Sequence, residues 1–201
     1  MKEGDGASFA PFENVTRTFD LSIIRDTMPD LTPVLSSDAI ARRVDELARQ
    51  ISTDYRDADL VMIGVLKGAF VFLADLIRRV EVKCLAIDFI RVASYGSKNQ
   101  SCGSVGLLKD VELNVAGKDV IIVEDILDSG LTLAFLKKHL SSMQPRSVKT
   151  CVFIDKLERR QVDIQADYVC HTLKEGFLVG YGLDYAEAYR HLPGIYNLNF
   201  N

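Results

Sequence analysis

The run Asp119-Val-Ile-Ile-Val123 restricts the possible folds more than any other part of the chain. Its four consecutive β-branched residues leave no polar side for solvent, so the strand they predict must be covered on both faces. A helical pattern follows, with Leu133, Leu136 and Leu140 recurring on one side of Leu131–Leu140. The same succession occurs earlier, where the apolar run Leu60–Leu66 ends in Lys67-Gly68 and Ala69–Val80 repeats Phe70, Leu73, Ile77 and Val80 at helical spacing. Ser37 is the expected N-cap of a first helix through Ile40, Val44, Leu47 and Ile51, and further strands are expected at Lys83–Val92, Val105–Val111 and Val148–Ile154. Strands alternating with helices of this length call for right-handed crossovers. The expectation is therefore an α/β fold with a largely parallel central sheet flanked by helices, and ligands beyond the carboxyl ends of its strands.

The 201 residues suit one compact domain. Met1–Thr32 mixes Gly, Asp, Pro and Thr and reads as an N-terminal extension, flexible or a subunit contact, ahead of a domain spanning 33–201. Ser94–Ser104 is polar and reads as mobile. With 24 basic against 28 acidic residues the net charge of -4 gives no reason to expect nucleic acid or an acidic membrane as partner. Cys84, Cys102, Cys151 and Cys170 form no Cys-x-x-Cys and no zinc spacing, and read as buried free thiols. Every apolar stretch is broken well before a membrane-spanning length, so a soluble, cytoplasmic protein is expected.

The chemistry concentrates in Val123–Thr132. Glu124 and Asp125 stand where the buried strand is expected to end, and Asp128 precedes Ser129, Gly130, Leu131 and Thr132. Glycine lets backbone approach an anion, the two hydroxyls can donate, and the starting helix directs unpaired N–H groups at the same spot. That combination describes a phosphate cradle. The adjacent carboxylates would repel phosphate, but they suit sugar hydroxyls or a magnesium ion. Acids capping the helix are the bland alternative. A Gly-x-x-x-x-Gly-Lys-Ser/Thr motif is absent, and Gly180-Tyr-Gly182 lacks the third glycine of a dinucleotide fingerprint.

Val-Ile-Ile-Val-Glu-Asp-Ile-Leu-Asp-Ser-Gly-Leu-Thr, ending at Thr132, resembles the phosphoribosyl-pyrophosphate signature of the type I phosphoribosyltransferases, in particular their hypoxanthine-guanine branch. Four more segments carry the likeness. Leu66-Lys67-Gly68 is similar to the family's pyrophosphate loop, with its cis peptide before the lysine, and Ser94-Tyr95-Gly96 is similar to the loop that closes over the reaction and excludes water. Asp155-Lys156 matches the pair whose lysine donates to the 6-oxo group of a purine. Phe177–Glu187, with Arg190, resembles the C-terminal signature.

The resemblance implies a type I fold with a small hood made from both chain ends. It places Glu124, Asp125, Asp128, Ser129, Gly130, Leu131 and Thr132 around the ribose phosphate, and Leu66, Lys67, Gly68, Ser94, Tyr95 and Arg190 on pyrophosphate. Lys156, Phe177, Leu178 and Asp184 fall to the purine, with Phe177 stacking on it, while Glu124, Asp125 and Asp184 fall to Mg2+. Asp128 becomes the general base at N7 as N9 attacks. Implied substrates are phosphoribosyl pyrophosphate with hypoxanthine or guanine, the products IMP or GMP with pyrophosphate, and the assembly a homodimer or homotetramer. The chain departs from many relatives in Leu157, where they carry proline, and in Val169–Gly176, where His171 reads as a loop residue or a modifier of purine preference. The choice among hypoxanthine, guanine and xanthine stays open. The rivals are a non-catalytic nucleotide-sensing regulator on the same fold and an enzyme using adenine or a pyrimidine.

Overall fold

The structure, a computed structural model, describes residues 30–95 and 104–200. Its elements run β1 (Asp30–Leu35), α1 (Ser37–Asp54), β2 (Asp59–Leu66), α2 (Phe70–Ile77), β3 (Cys84–Tyr95), β4 (Ser104–Lys109), β5 (Asp119–Leu127), α3 (Leu131–Ser141), β6 (Ser147–Lys156), β7 (Tyr168–Leu173), β8 (Leu178–Val179) and β9 (Ile195–Asn199).

Six strands form the main sheet in the order β4-β3-β2-β5-β6-β7. All neighbours are parallel except β4, which returns antiparallel along β3 at the edge. The alternation of side chains along each strand supplies two cores. Met62, Ile121, Val123 and Phe153 face α1 and α2, whereas Val61, Ile63, Val120, Ile122 and Val152 face Leu133, Leu136 and Leu140 of α3. Both faces are thus covered, as the run at 120–123 requires. A smaller sheet, β1-β9-β8, pairs the first and last described strands into a hood.

Several boundaries differ from the sequence reading. Ser36, not Ser37, caps α1, its hydroxyl accepting from the Ala39 amide at 3.3 Å. β5 continues to Leu127, so Glu124 and Asp125 lie inside the strand, because pairing with β6 runs on to Asp155. Ser94 and Tyr95 are paired strand residues opposite Val105 and Ser104; the expected mobile stretch between them, 96–103, lies outside the described residues, as do residues 1–29. His171 sits in β7 opposite Ile154, not in a loop, because an additional parallel strand covers β6. Cys151 and Cys170 are buried free thiols, but Cys84, at the start of β3, is exposed. Among the described residues no helix is long and apolar enough to cross a membrane.

β2 leads through α2 to β3 on one side, while the chain later places β5 on the other. The carboxyl ends of β2 and β5 therefore flank a topological switch point, where an open α/β sheet leaves a crevice. At the opposite end of the sheet, buried Asp119 accepts from Arg146 Nε at 3.0 Å, from a second Arg146 nitrogen and from Ser147 Oγ at 2.7 Å. Arg146 holds this carboxyl below its ordinary range. A group depressed on folding stabilises above its unfolded pKa, and that contribution disappears as pH falls through the folded value. Arg146→Met should lower the urea midpoint at pH 7, with the gap in urea midpoints closing below about pH 4. A gap unchanged in acid would show that the contact is not ionic.

Candidate active site

The carboxyl end of β5 and the start of α3 enclose a cavity of about 220 Å³ lined by Glu124–Gly130 and Thr132. A larger cavity of about 470 Å³ lies beside Phe70, Val71, Tyr181 and Arg190. Its walls are mostly apolar, so the smaller one is where acids and hydroxyls converge. Gly130 takes φ +84°, ending the strand and opening the helix. A Cβ there would meet Ile164 at 2.7 Å and Val162 at 2.9 Å. Glycine is needed for the packing behind the loop, whereas the sequence suggested an approach to anion in front of it. Ser129 Oγ accepts from the Leu131 amide at 3.4 Å, and its carbonyl accepts from Gln161 N at 2.9 Å.

Arg160, which no sequence pattern marked, braces the same loop. Its guanidinium donates to the carbonyls of Asp128 (3.1 Å), Leu127 (3.3 Å), Lys156 (3.2 Å) and Ile164 (2.6 Å), and to Asp155 Oδ1 at 2.5 Å. Its only trace in the sequence is the Arg159-Arg160 pair, indistinguishable from a solvated turn.

Three segments meet β5 at its end. The Leu66-Lys67 peptide is cis, as the resemblance implied. Gly68 lies so close to Asp125 that an added Cβ would sit 1.6 Å from Oδ2, and a Cβ on Gly182 would sit 2.2 Å from the Gly68 carbonyl oxygen. Lys67 Nζ pairs with Glu187 Oε1 at 3.0 Å. Arg190 donates to Gly182 O at 2.7 Å and pairs with Asp184 Oδ1 at 2.7 Å and Glu187 Oε2 at 3.2 Å. Lys67, Gly68, Asp125, Asp184 and Arg190 therefore form one group. Glu187 was not assigned a role from sequence, yet it faces both cations.

Lys156, at the end of β6, is buried; its Nζ lies 3.2 Å from Glu158 Oε2 and 3.9 Å from Asp128 Oδ1. Phe177 is half-exposed beside Leu178, which is buried in β8 opposite Asn197 of β9. Ser94 and Tyr95 end β3 next to β2, and their side chains lie outside the described residues.

Among the described residues two buried side-chain polar atoms have no partner, Asp128 Oδ1 and Arg190 Nε. Buried groups of this kind are nearly always satisfied, so a free acceptor in the smaller cavity and a free donor beside the larger one are groups able to take a ligand atom. Burial, and then the charge of Asp125, push the Glu124 carboxyl well above its usual range. Burial also raises Asp125 to about 6 against its own and the Ile126 amides and Arg190, with Asp184 adding to the rise.

No cluster of three or more His, Cys, Asp or Glu side chains able to hold a metal occurs among the described residues. A magnesium ion usually takes only one or two carboxylates and completes its shell from water and phosphate oxygens. Asp125, raised by burial and set against Asp184, suits that donor pattern, since a nearby cation would favour its ionised form.

The phosphoribosyl transferase domain model matches residues 31–186. The hypoxanthine-guanine phosphoribosyltransferase of Aquifex aeolicus is 44% identical over 164 residues, covering 81% of this chain and 92% of that protein. The hypoxanthine phosphoribosyltransferase of Escherichia coli is 44% identical over 158 residues, 78% of this chain and 88% of its own. A crystal structure of a hypoxanthine-guanine phosphoribosyltransferase from Bacillus anthracis superposes with a TM-score of 0.80 at 47% identity, covering 84% of this chain and 99% of that one.

A carboxyl raised on folding binds its proton more tightly in the folded chain, so its contribution to stability is present below the unfolded pKa and is lost as pH rises through about 6. Asp125→Asn should accordingly raise the Tm of the ligand-free protein at pH 8, by about 2–4 °C for each kcal/mol relieved, with the gain vanishing toward pH 4. A Tm at pH 8 below that of the parent protein would contradict the assigned burial cost.

Proposed function

The chain belongs to the phosphoribosyltransferase family, and from that membership we infer that it is a purine-salvage enzyme of the cytoplasm. It transfers 5-phosphoribosyl from phosphoribosyl pyrophosphate to N9 of hypoxanthine or guanine, giving IMP or GMP and pyrophosphate. The observation that carries this reading is the unpartnered Asp128 Oδ1, set 3.9 Å from Lys156 Nζ on the rim of the cavity below α3. A free acceptor next to a buried ammonium matches a 6-oxopurine, whose N7 carries a proton to give and whose O6 accepts a hydrogen bond.

On this reading Ser129, Gly130, Leu131 and Thr132 hold the 5-phosphate at the helix N-terminus. Glu124 and Asp125 accept from ribose hydroxyls. Leu66, Lys67 and Gly68 present backbone and ammonium to pyrophosphate, where Arg190 Nε also finds its partner. Ser94 and Tyr95 lead into the segment that the resemblance casts as a water-excluding cover. The purine lies on Phe177 and along the Leu178 backbone, with Lys156 donating to O6 and Asp184 beneath.

As the ribose C1–O bond breaks, its electron pair leaves with pyrophosphate, and positive charge on the ribose is relieved by attack of N9. Asp128 Oδ1 takes the N7 proton as charge builds on the purine ring. Glu124, Asp125 and Asp184 are the carboxylates from which a magnesium ion would draw one or two ligands, and it would supply charge that offsets the pyrophosphate. Assembly as a homodimer or homotetramer belongs to the same reading and rests on the resemblance.

Incubation with Mg2+, phosphoribosyl pyrophosphate and single bases should yield a mononucleotide from hypoxanthine or guanine and none from adenine. Absence of product with every base would favour a nucleotide-sensing role instead. Asp128→Asn should lower kcat roughly 10²–10⁴-fold while the Kd for phosphoribosyl pyrophosphate changes little; undiminished turnover would remove Asp128 from the proton transfer.

A further inference from the structure

The C-terminal strand ends in an aromatic side chain that neither the family motifs nor the reaction accounts for. Phe200 follows β9 and remains 58% exposed, the largest exposure among the big apolar side chains described. Its ring lies 5.6 Å from Phe177 and 5.4 Å from Tyr185, inclined at 78° and 68°. Phe177 and Tyr185 stand 5.6 Å apart at 88°. Each ring therefore touches the other two edge-on, the arrangement that aromatic quadrupoles favour.

The backbone of Phe177 is held by the same strand. Its N–H donates to Asn197 Oδ1 at 2.9 Å, and its carbonyl accepts from Leu198 N at 2.7 Å. Asn197 is steadied by donating to Asn199 Oδ1 at 2.8 Å, and Asn199 in turn donates to Thr32 Oγ1 of β1 at 2.8 Å. The main chain of Phe177 is thus fixed by residues 197 and 198, while its ring is bounded by residues 185 and 200. Free rotation of a half-exposed aromatic side chain would otherwise have to be lost when a flat ligand stacks on it. The cluster also borders the purine-facing groups: the Gly176 amide, one residue before Phe177, bonds Glu158, whose carboxylate meets Lys156 Nζ at 3.2 Å.

We propose that Phe200 is a positioning residue for the purine, a side chain at the chain terminus that sets the tilt of Phe177 and so determines affinity for the base. The proposal rests on Phe177 being the stacking surface described above. The ring contacts of Phe200 are with Phe177 and Tyr185, so its influence is expected chiefly on the purine.

Steady-state kinetics of the full chain provide the test. Phe200→Ala should raise KM for hypoxanthine roughly five- to tenfold and leave kcat and the KM for phosphoribosyl pyrophosphate within about twofold of the parent. Phe200→Tyr should restore the purine KM, because it returns the ring. An unchanged purine KM in Phe200→Ala, or an equal rise in both KM values, would overturn the proposal. Phe177→Ala, assayed alongside, separates its failure from that of the underlying reading. A raised purine KM there with none in Phe200→Ala removes only Phe200; no change in either variant removes the stacking role of Phe177 and the proposal with it.

Discussion

The organisation of the site depends on a backbone approach that excludes even one methyl group. Gly68 abuts the Asp125 carboxylate, and Gly182 abuts the carbonyl of Gly68. Three segments far apart in sequence, the β2 turn, the end of β5 and the loop after β8, are thereby locked at one point. Gly182 has φ +99°, a conformation that side chains other than glycine rarely adopt, so its small size and its freedom are both needed. Arg190 adds a hydrogen bond to Gly182 O, and with it the loop carrying Asp184 and Glu187 is held against the switch point of the sheet.

That closure buries acid. Glu124 and Asp125 lie on β5, inside the sheet, and both carboxyls are pushed upward because burial penalises their charged forms. Lys67 and Arg190 stand opposite, with Glu187 held below its usual range first by Lys67 and also by Arg190. The site thus sets two carboxyls whose ionisation burial disfavours on one side against cations paired with Glu187 on the other. A fold selected for stability alone would not do this; functional sites commonly carry such a cost.

Two supports outside the motifs keep the geometry. Arg160 ties four carbonyls of the loop and its surroundings to Asp155, so the segment between β6 and β7 acts as a brace behind the cradle. The hood does the same for the aromatic face. β9 pairs with both β1 and β8, and the side chains of Asn197 and Asn199 extend the ladder sideways to Phe177 and Thr32. The first and last described strands therefore shape the mouth of the site.

Patterns that repeat locally were legible in the chain itself. The β-branched run at 120–123, the leucines of α3 and the glycine after β2 specify a doubly covered parallel sheet with a turn at each strand end, because periodicity and turn chemistry act over a few residues. The string from Val123 to Thr132 suggested phosphate and sugar chemistry by residue type, a reading that its likeness to a family signature strengthened. Tertiary structure decided the rest. How far β5 extends depends on its pairing with β6; why Gly130 must be glycine depends on Ile164 and Val162; and what Arg160, Glu187 and Phe200 do depends on partners 3–120 residues away. Such roles leave no local signature, since the free energy of a contact between distant segments is set by the fold that brings them together and not by the residues that adjoin them in sequence.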